Sequence, residues 1–180
     1  MGDVKFKSKG IFRPGGQENI CDQVRVGGVR RILHVLYIGV PEDPELVQAV
    51  VSYVGIYDML RVELSPNGAF NVTEFGTVQD REQFEALYSY SPYHNVIDGV
   101  SYPATLFLTG ANDPRVDPMQ SRKMTARLQA ASTSDAPILL RTSANAGHGG
   151  GSSLDERIEQ TVDVLAFLFQ YLGITLDHSR

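Results

Sequence analysis

Ala104-Thr-Leu-Phe-Leu-Thr-Gly110, running into Ala111-Asn-Asp-Pro-Arg115, is the stretch on which the fold turns. Seven apolar or β-favouring residues without a charge read as a strand buried on both faces, the kind found inside parallel sheets. Downstream, Pro137-Ile-Leu-Leu-Arg141 repeats the pattern and runs into Asn145-Ala-Gly-His-Gly149. An acid on the loop after one strand and a histidine on the loop after the next is the chain order of an α/β-hydrolase, in which the nucleophile comes first. Asp113 and His148 are therefore the candidate acid and base, on loops at the carboxyl edge of one sheet. An acid there would fix one imidazole nitrogen and leave the other to take a proton. No G-x-S-x-G occurs anywhere in the chain.

Outward from that stretch, strands alternate with helices, which implies βα units. Residues 1–31 read as loop with at most one short strand. Ile32-Leu-His-Val-Leu-Tyr-Ile-Gly-Val40 is either a buried strand or a short core helix, and residues 49–54 are a further buried strand. Residues 57–78 look like loop, with Ser65-Pro-Asn-Gly68 as a turn. Residues 80–89 form a helix capped by Asp80, with Phe84, Leu87 and Tyr88 on one face. A helix opens at Asp117 or Pro118 and runs through Ala131, with Met119, Met124, Leu128 and Ala131 inward. The last helix spans residues 154–172, with Ile158, Val162, Leu165, Ala166, Phe169 and Leu172 as its inward stripe and Gly173 as C-cap. The expected fold is a truncated α/β-hydrolase, a single domain over residues 1–180. Its mainly parallel sheet has about four or five strands flanked by helices.

Composition narrows the function. The 180 residues are 42% hydrophobic and 21% charged, which is globular, and the formal net charge of −5 argues against nucleic acid or an anionic membrane as partner. Cys21 is the only cysteine, so no internal disulfide forms. The four histidines show no His-x-His or His-x₃-His spacing, and neither a metal nor a cofactor is expected. His94 reads as a structural histidine at a helix end. Asn71-Val-Thr73 matches a glycosylation acceptor, idle in a chain with no signal peptide at its start. The expected location is the cytoplasm.

Several segments together resemble the catalytic domain of the prolyl oligopeptidase family of serine hydrolases. They are Pro44-Glu-Leu46, Val50-Val-Ser-Tyr-Val-Gly-Ile-Tyr-Asp58-Met-Leu60, Glu74-Phe-Gly76, Tyr90-Ser-Pro-Tyr-His-Asn-Val96, Tyr102 to Gly110, Asp113-Pro-Arg-Val116 and Ala146-Gly-His-Gly149. The likeness runs over residues 43–173, with 1–42 divergent. It implies Asp113 as triad acid, His148 as triad base and Arg115 as the arginine that holds a substrate carbonyl. The family's Gly-Gly-Ser-x-Gly-Gly elbow, counted back from Pro44, falls on Arg30 in Gly27-Gly-Val-Arg-Arg-Ile-Leu33, which has glycines and no serine. The aromatic that stacks on proline in the family falls near Asn71, so selectivity for proline is not implied. A reading-frame slip at Val29-Arg-Arg31 would account for the stranded glycines, and the nucleotide sequence tests it.

Four residues are candidates for the missing nucleophile. Cys21 is chemically the best of them, since a thiol near a histidine ionises readily. Ser143, Ser152 and Ser153 lie on the histidine's own loop, the last two also as N-cap candidates. Without any of them, His148 could activate water directly. The expected activity is hydrolysis of esters or short peptides. The alternative is an inactive truncated homologue that only folds and self-associates. In either case an uncovered sheet edge would lead the chain to homo-oligomerise.

Overall fold

A computed structural model describes residues 47–148 and 153–174. Three strands, β1 (Ala49–Tyr53), β2 (Ala104–Gly110) and β3 (Ile138–Ser143), form a parallel sheet in that order. The register pairs Ala49 with Ala104 and Thr105 with Ile138. The fold is α/β, and the described residues hold three strands where four or five were expected. The 32–40 run, the other strand candidate, lies outside the described residues, as do Cys21, Gly27, Gly28, Arg30 and Ser152.

Among the described residues four helices accompany the sheet: α1 (Gly68–Phe75), α2 (Arg81–Tyr90), α3 (Met119–Ala131) and α4 (Leu154–Leu172). Period-two alternation divides the sheet's side chains between two covers. Val50, Phe107 and Ile138 face α3, where Met124, Leu128 and Ala131 complete one core. Ala104, Leu106 and Leu108 face α4, packing on Val164 and Phe167. The central strand β2 is therefore buried at every residue, as its unbroken apolar text requires. Each fully buried side chain such as Met124 or Leu128 contributes about 1.5–3 kcal/mol.

The helix ends follow local chemistry. Asp80 accepts the amide of Gln83 and Ser153 that of Glu156, each offsetting an orphan donor, while Gly173 closes α4 in the left-handed conformation. Four expectations need correction. Residues 57–78 are not simply loop, because they contain a 3₁₀ turn at Val62–Leu64 and helix α1. Met119 points to solvent, since it precedes the first inward turn of α3. Phe84 and Tyr88 share a face of α2 and stack on each other at 6.2 Å, but both are exposed, and Leu87 alone is buried. On α4 the inward residues are Val164 and Phe167, and Ile158, Val162 and Leu165 of the expected stripe face outward.

Tyr57 joins β1 to the α3 core. Its hydroxyl lies 2.7 Å from Ser52 Oγ and its ring meets Phe107 edge-on at 5.3 Å. Burial pushes its pKa up to about 12, opposed by the Ser52 and Ser121 hydrogen bonds. A phenol harder to ionise when folded stabilises the fold fully below its unfolded value near 10, and the contribution is lost as pH rises toward about 12. Two units correspond to about 3 kcal/mol. Denaturation midpoints of the wild type are thus expected to fall between roughly pH 10 and 12, and Tyr57→Phe should flatten that fall.

Candidate active site

The strand tips of β2 and β3 bring Asp113 and His148 together. Asp113 Oδ2 stands 2.8 Å from His148 Nδ1, with the aspartate side chain fully buried and the imidazole 30% exposed. The other carboxylate oxygen accepts the amides of Arg115 (2.8 Å) and Val116 (3.0 Å) in an Asx turn. With Nδ1 donating to a carboxylate whose remaining oxygen is already engaged, the ring's orientation and tautomer are set and Nε2 is left as acceptor. A buried acid behind a half-exposed base is an arrangement that takes a proton from a group in solvent reach.

Two residues that sequence reasoning passed over hold this pair, and a third braces the sheet beside it. At Gly110 a Cβ would lie 2.3 Å from the carbonyl oxygen of Ala146 and 2.6 Å from that of Gly147, so only glycine lets the end of β2 pass the histidine loop. Asn112 ties the same loops, donating its amide to Ala146 O and its side chain to Ala144 O. Buried Gln120, in the first turn of α3, accepts the amides of Tyr57 (3.0 Å) and Asp58 (2.7 Å), fastening the exit of β1 to the helix that follows the Asp113 loop. A glycine closing an apolar run, followed two residues later by asparagine, was the available signal for the first two.

The nucleophile candidates fare differently. Ser143 is buried and its Oγ accepts from Arg141 Nη1 at 2.6 Å, so it is held away from the role expected of it. Ser153 is the N-cap of α4. Cys21 and Ser152 lie outside the described residues. Among the described residues, no hydroxyl or thiol hydrogen-bonds to His148. Ser143→Ala is accordingly expected to leave ester turnover within about twofold, because removing an acceptor from Arg141 acts on stability at the level of about 1 kcal/mol. Arg115 is exposed, and its guanidinium has no ion-pair partner among the described residues, leaving its donors open to a carbonyl or carboxylate.

Ser91, His94 and Asp58 form a second set with the composition of a triad and the wrong geometry. Ser91 Oγ and Asp58 Oδ1 both approach the same nitrogen, Nδ1 of His94, at 2.8 and 3.9 Å. Ser91 is fully buried, and Asp58 is ion-paired to Lys123. Burial lowers the pKa of His94 more than the Asp58 charge raises it. The set is structural, in line with the reading of His94 as a helix-end histidine.

Among the described residues no helix is long and apolar enough to cross a membrane, and no group of three or more His, Cys, Asp or Glu is placed to hold a metal ion. The profile of the prolyl oligopeptidase family matches residues 35–175. The chain is similar to the prolyl endopeptidase of Elizabethkingia meningoseptica, with 41% identity over 132 residues, 73% of this chain and 19% of that protein. It is also similar to the prolyl endopeptidase of Dictyostelium discoideum, with 34% identity over 139 residues, 76% and 18% of the two chains. A solved prolyl endopeptidase structure superposes with a TM-score of 0.75 at 40% identity, covering 82% of this chain and 21% of that one. The chain thus spans about a fifth of the length of the curated relatives it matches.

Proposed function

This chain belongs to the prolyl oligopeptidase family, and from that premise we propose that it is a serine-hydrolase-like protein acting on esters or short peptides. His148 is the general base, Asp113 the acid that orients it, and Arg115 a ligand for the substrate carbonyl. The observation that carries this reading is the 2.8 Å contact between Asp113 Oδ2 and His148 Nδ1, buried on one side and open on the other. His148 Nε2 takes a proton from a water molecule as its oxygen bonds to the acyl carbon. The carbonyl becomes an oxyanion facing the Arg115 guanidinium, and the proton passes to the departing alcohol or amine as the acyl bond breaks. The cytoplasm is the location we propose, since one cysteine among 180 residues suits a reducing compartment.

The test is turnover of a p-nitrophenyl ester by the wild type and by His148→Ala. General-base help is worth about 10²–10⁴-fold, so His148→Ala should lose a hundredfold or more. A second reading is favoured by one observation, the lack of a hydroxyl on His148 among the described residues. On that reading the protein is a non-catalytic homologue, and both proteins would give the buffer rate.

A further inference from the structure

Helix α4 carries more apolar surface than its own sheet covers. Val164 and Phe167 are buried against β2, while Leu154, Ile158, Val162 and Leu165 are 66, 51, 58 and 45% exposed. From Ile158 these continue through Val162, Leu165, Phe169 and Leu172 at alternating steps of four and three, the spacing of a helix–helix seam. At about 100° per residue the seam is centred roughly 150° around α4 from Val164 and Phe167, with Leu154, Leu165 and Leu172 on its side nearest the sheet at about 110–130°, and Asp163 lies on the other flank. Asp163 is fixed there by Arg141 of β3, at 2.6 Å. The acidic flank of α4 therefore points toward β3, and the Leu154, Leu165 and Leu172 side of the apolar arc lies toward the opposite edge of the sheet, which is β1.

Among the described residues that edge is open as well. Val54 donates its amide to Leu108 O at 2.9 Å, so the residues in phase with it, Val50 and Ser52, turn their backbone groups toward β2. Those of Ala49, Val51 and Tyr53 face outward, and no strand pairs with them among the described residues. Tyr53, on the α4 side of the sheet, is 42% exposed.

We propose that the β1 edge and the α4 flank form one self-association surface, and that its occupant is a second copy of this chain. The two copies are related by a two-fold axis normal to the sheet. This operation sets β1 antiparallel to its mate, so the outward groups of Ala49, Val51 and Tyr53 exchange hydrogen bonds and six strands become continuous. The same operation leaves both α4 helices on one face. Strands lie about 4.8 Å apart, and α4 packs on β1 and β2 together, which places its axis about 4.8 Å from the two-fold. The paired helices then run antiparallel about 10 Å apart, within ordinary helix-packing distance. One rotation satisfies the strand edge and the helix seam at once. Charge agrees with the direction. The first half of α4 carries Asp155, Glu156, Glu159 and Asp163 against Arg157 alone, and residues 164–172 carry no charge. An antiparallel seam sets the acidic half beside the neutral half, whereas a parallel one would stack acid on acid. A patch about 28 Å long and one helix wide belongs at the small end of specific interfaces, so the dimer is weak and concentration-dependent.

The test is sedimentation velocity on the full chain over a concentration series reaching several hundred micromolar, with amide exchange read in parallel. The wild type is expected to pass from monomer to dimer, and the amides of Val51 and Tyr53 to gain protection as it does. Leu154→Asp, and independently Leu165→Lys, should weaken the dimer at least about tenfold with unchanged circular dichroism, since both residues are exposed in the monomer. A wild type that stays monomeric throughout overturns the proposal, including the case in which residues 1–46 cover the surface within one chain. A dimer indifferent to both substitutions overturns it equally.

Discussion

Asp113→Asn is expected to lower ester turnover by at least about a hundredfold while leaving KM nearly unchanged. The carboxylate presents only acceptors to His148 Nδ1, at 2.8 Å. An asparagine can keep its carbonyl on the amides of Arg115 and Val116, the partners of Oδ1, and must then turn its NH₂ toward the imidazole. Nδ1 becomes an acceptor, the proton moves to Nε2, and the nitrogen facing substrate can no longer take one. Since the Asx turn survives, the fold survives, and Arg115 still meets the carbonyl. Steady-state kinetics on a p-nitrophenyl ester checks the rate, and nitrogen NMR of the labelled ring checks the tautomer. A loss of folding in place of a loss of kcat would contradict this assignment.

Gly110→Ala is the second large effect. Its methyl would sit 2.3 Å from Ala146 O and 2.6 Å from Gly147 O, both rigid backbone atoms in the loop that carries His148. Either the histidine loop or the end of β2 must give way. Overpacking of this kind costs about 1–3 kcal/mol. The displacement falls on the Asp113–His148 contact, where a shift of about 1 Å is worth about a hundredfold in rate. Chemical denaturation and ester turnover are expected to show both losses together. Asn112→Ala removes one exposed side-chain hydrogen bond to the same loop and should cost about 1 kcal/mol.

Both effects concern a site whose two principal residues are readable from the text, because chain order and strand topology in a parallel sheet are linked. The unbroken apolar run of β2 reads as a buried strand, and the loops after neighbouring parallel strands emerge at one edge, which is why Asp113 and His148 could be expected close together. The caps Asp80, Ser153 and Gly173 were equally legible, since each satisfies orphan backbone groups by local chemistry. Helix α1 was not. Gly68, Asn71, Val72 and Thr73 have poor intrinsic propensity, and Phe75 holds the helix by packing beside Met59, Val62 and Leu87, residues distant in the text. The rotation of α4 was hidden for a related reason. Its apolar arc is wider than one sheet can cover, and the text does not say which part meets Ala104, Leu106 and Leu108 of β2. The grip of Arg141 on Ser143 could have been read, because residues two apart on a strand share a face.

The nucleophile is where the text fell silent, and the chemistry proposed for the pair does not need one from the chain. If Asp113 and His148 act on water as a single unit, removing either already removes the whole advantage. The most direct measurement is therefore a double-mutant cycle on ester turnover with Asp113→Asn, His148→Ala and both together. The expected result is that the double variant is no slower than His148→Ala alone. Losses that add, each residue contributing independently, would show that the two side chains do not work as a base and the group that orients it.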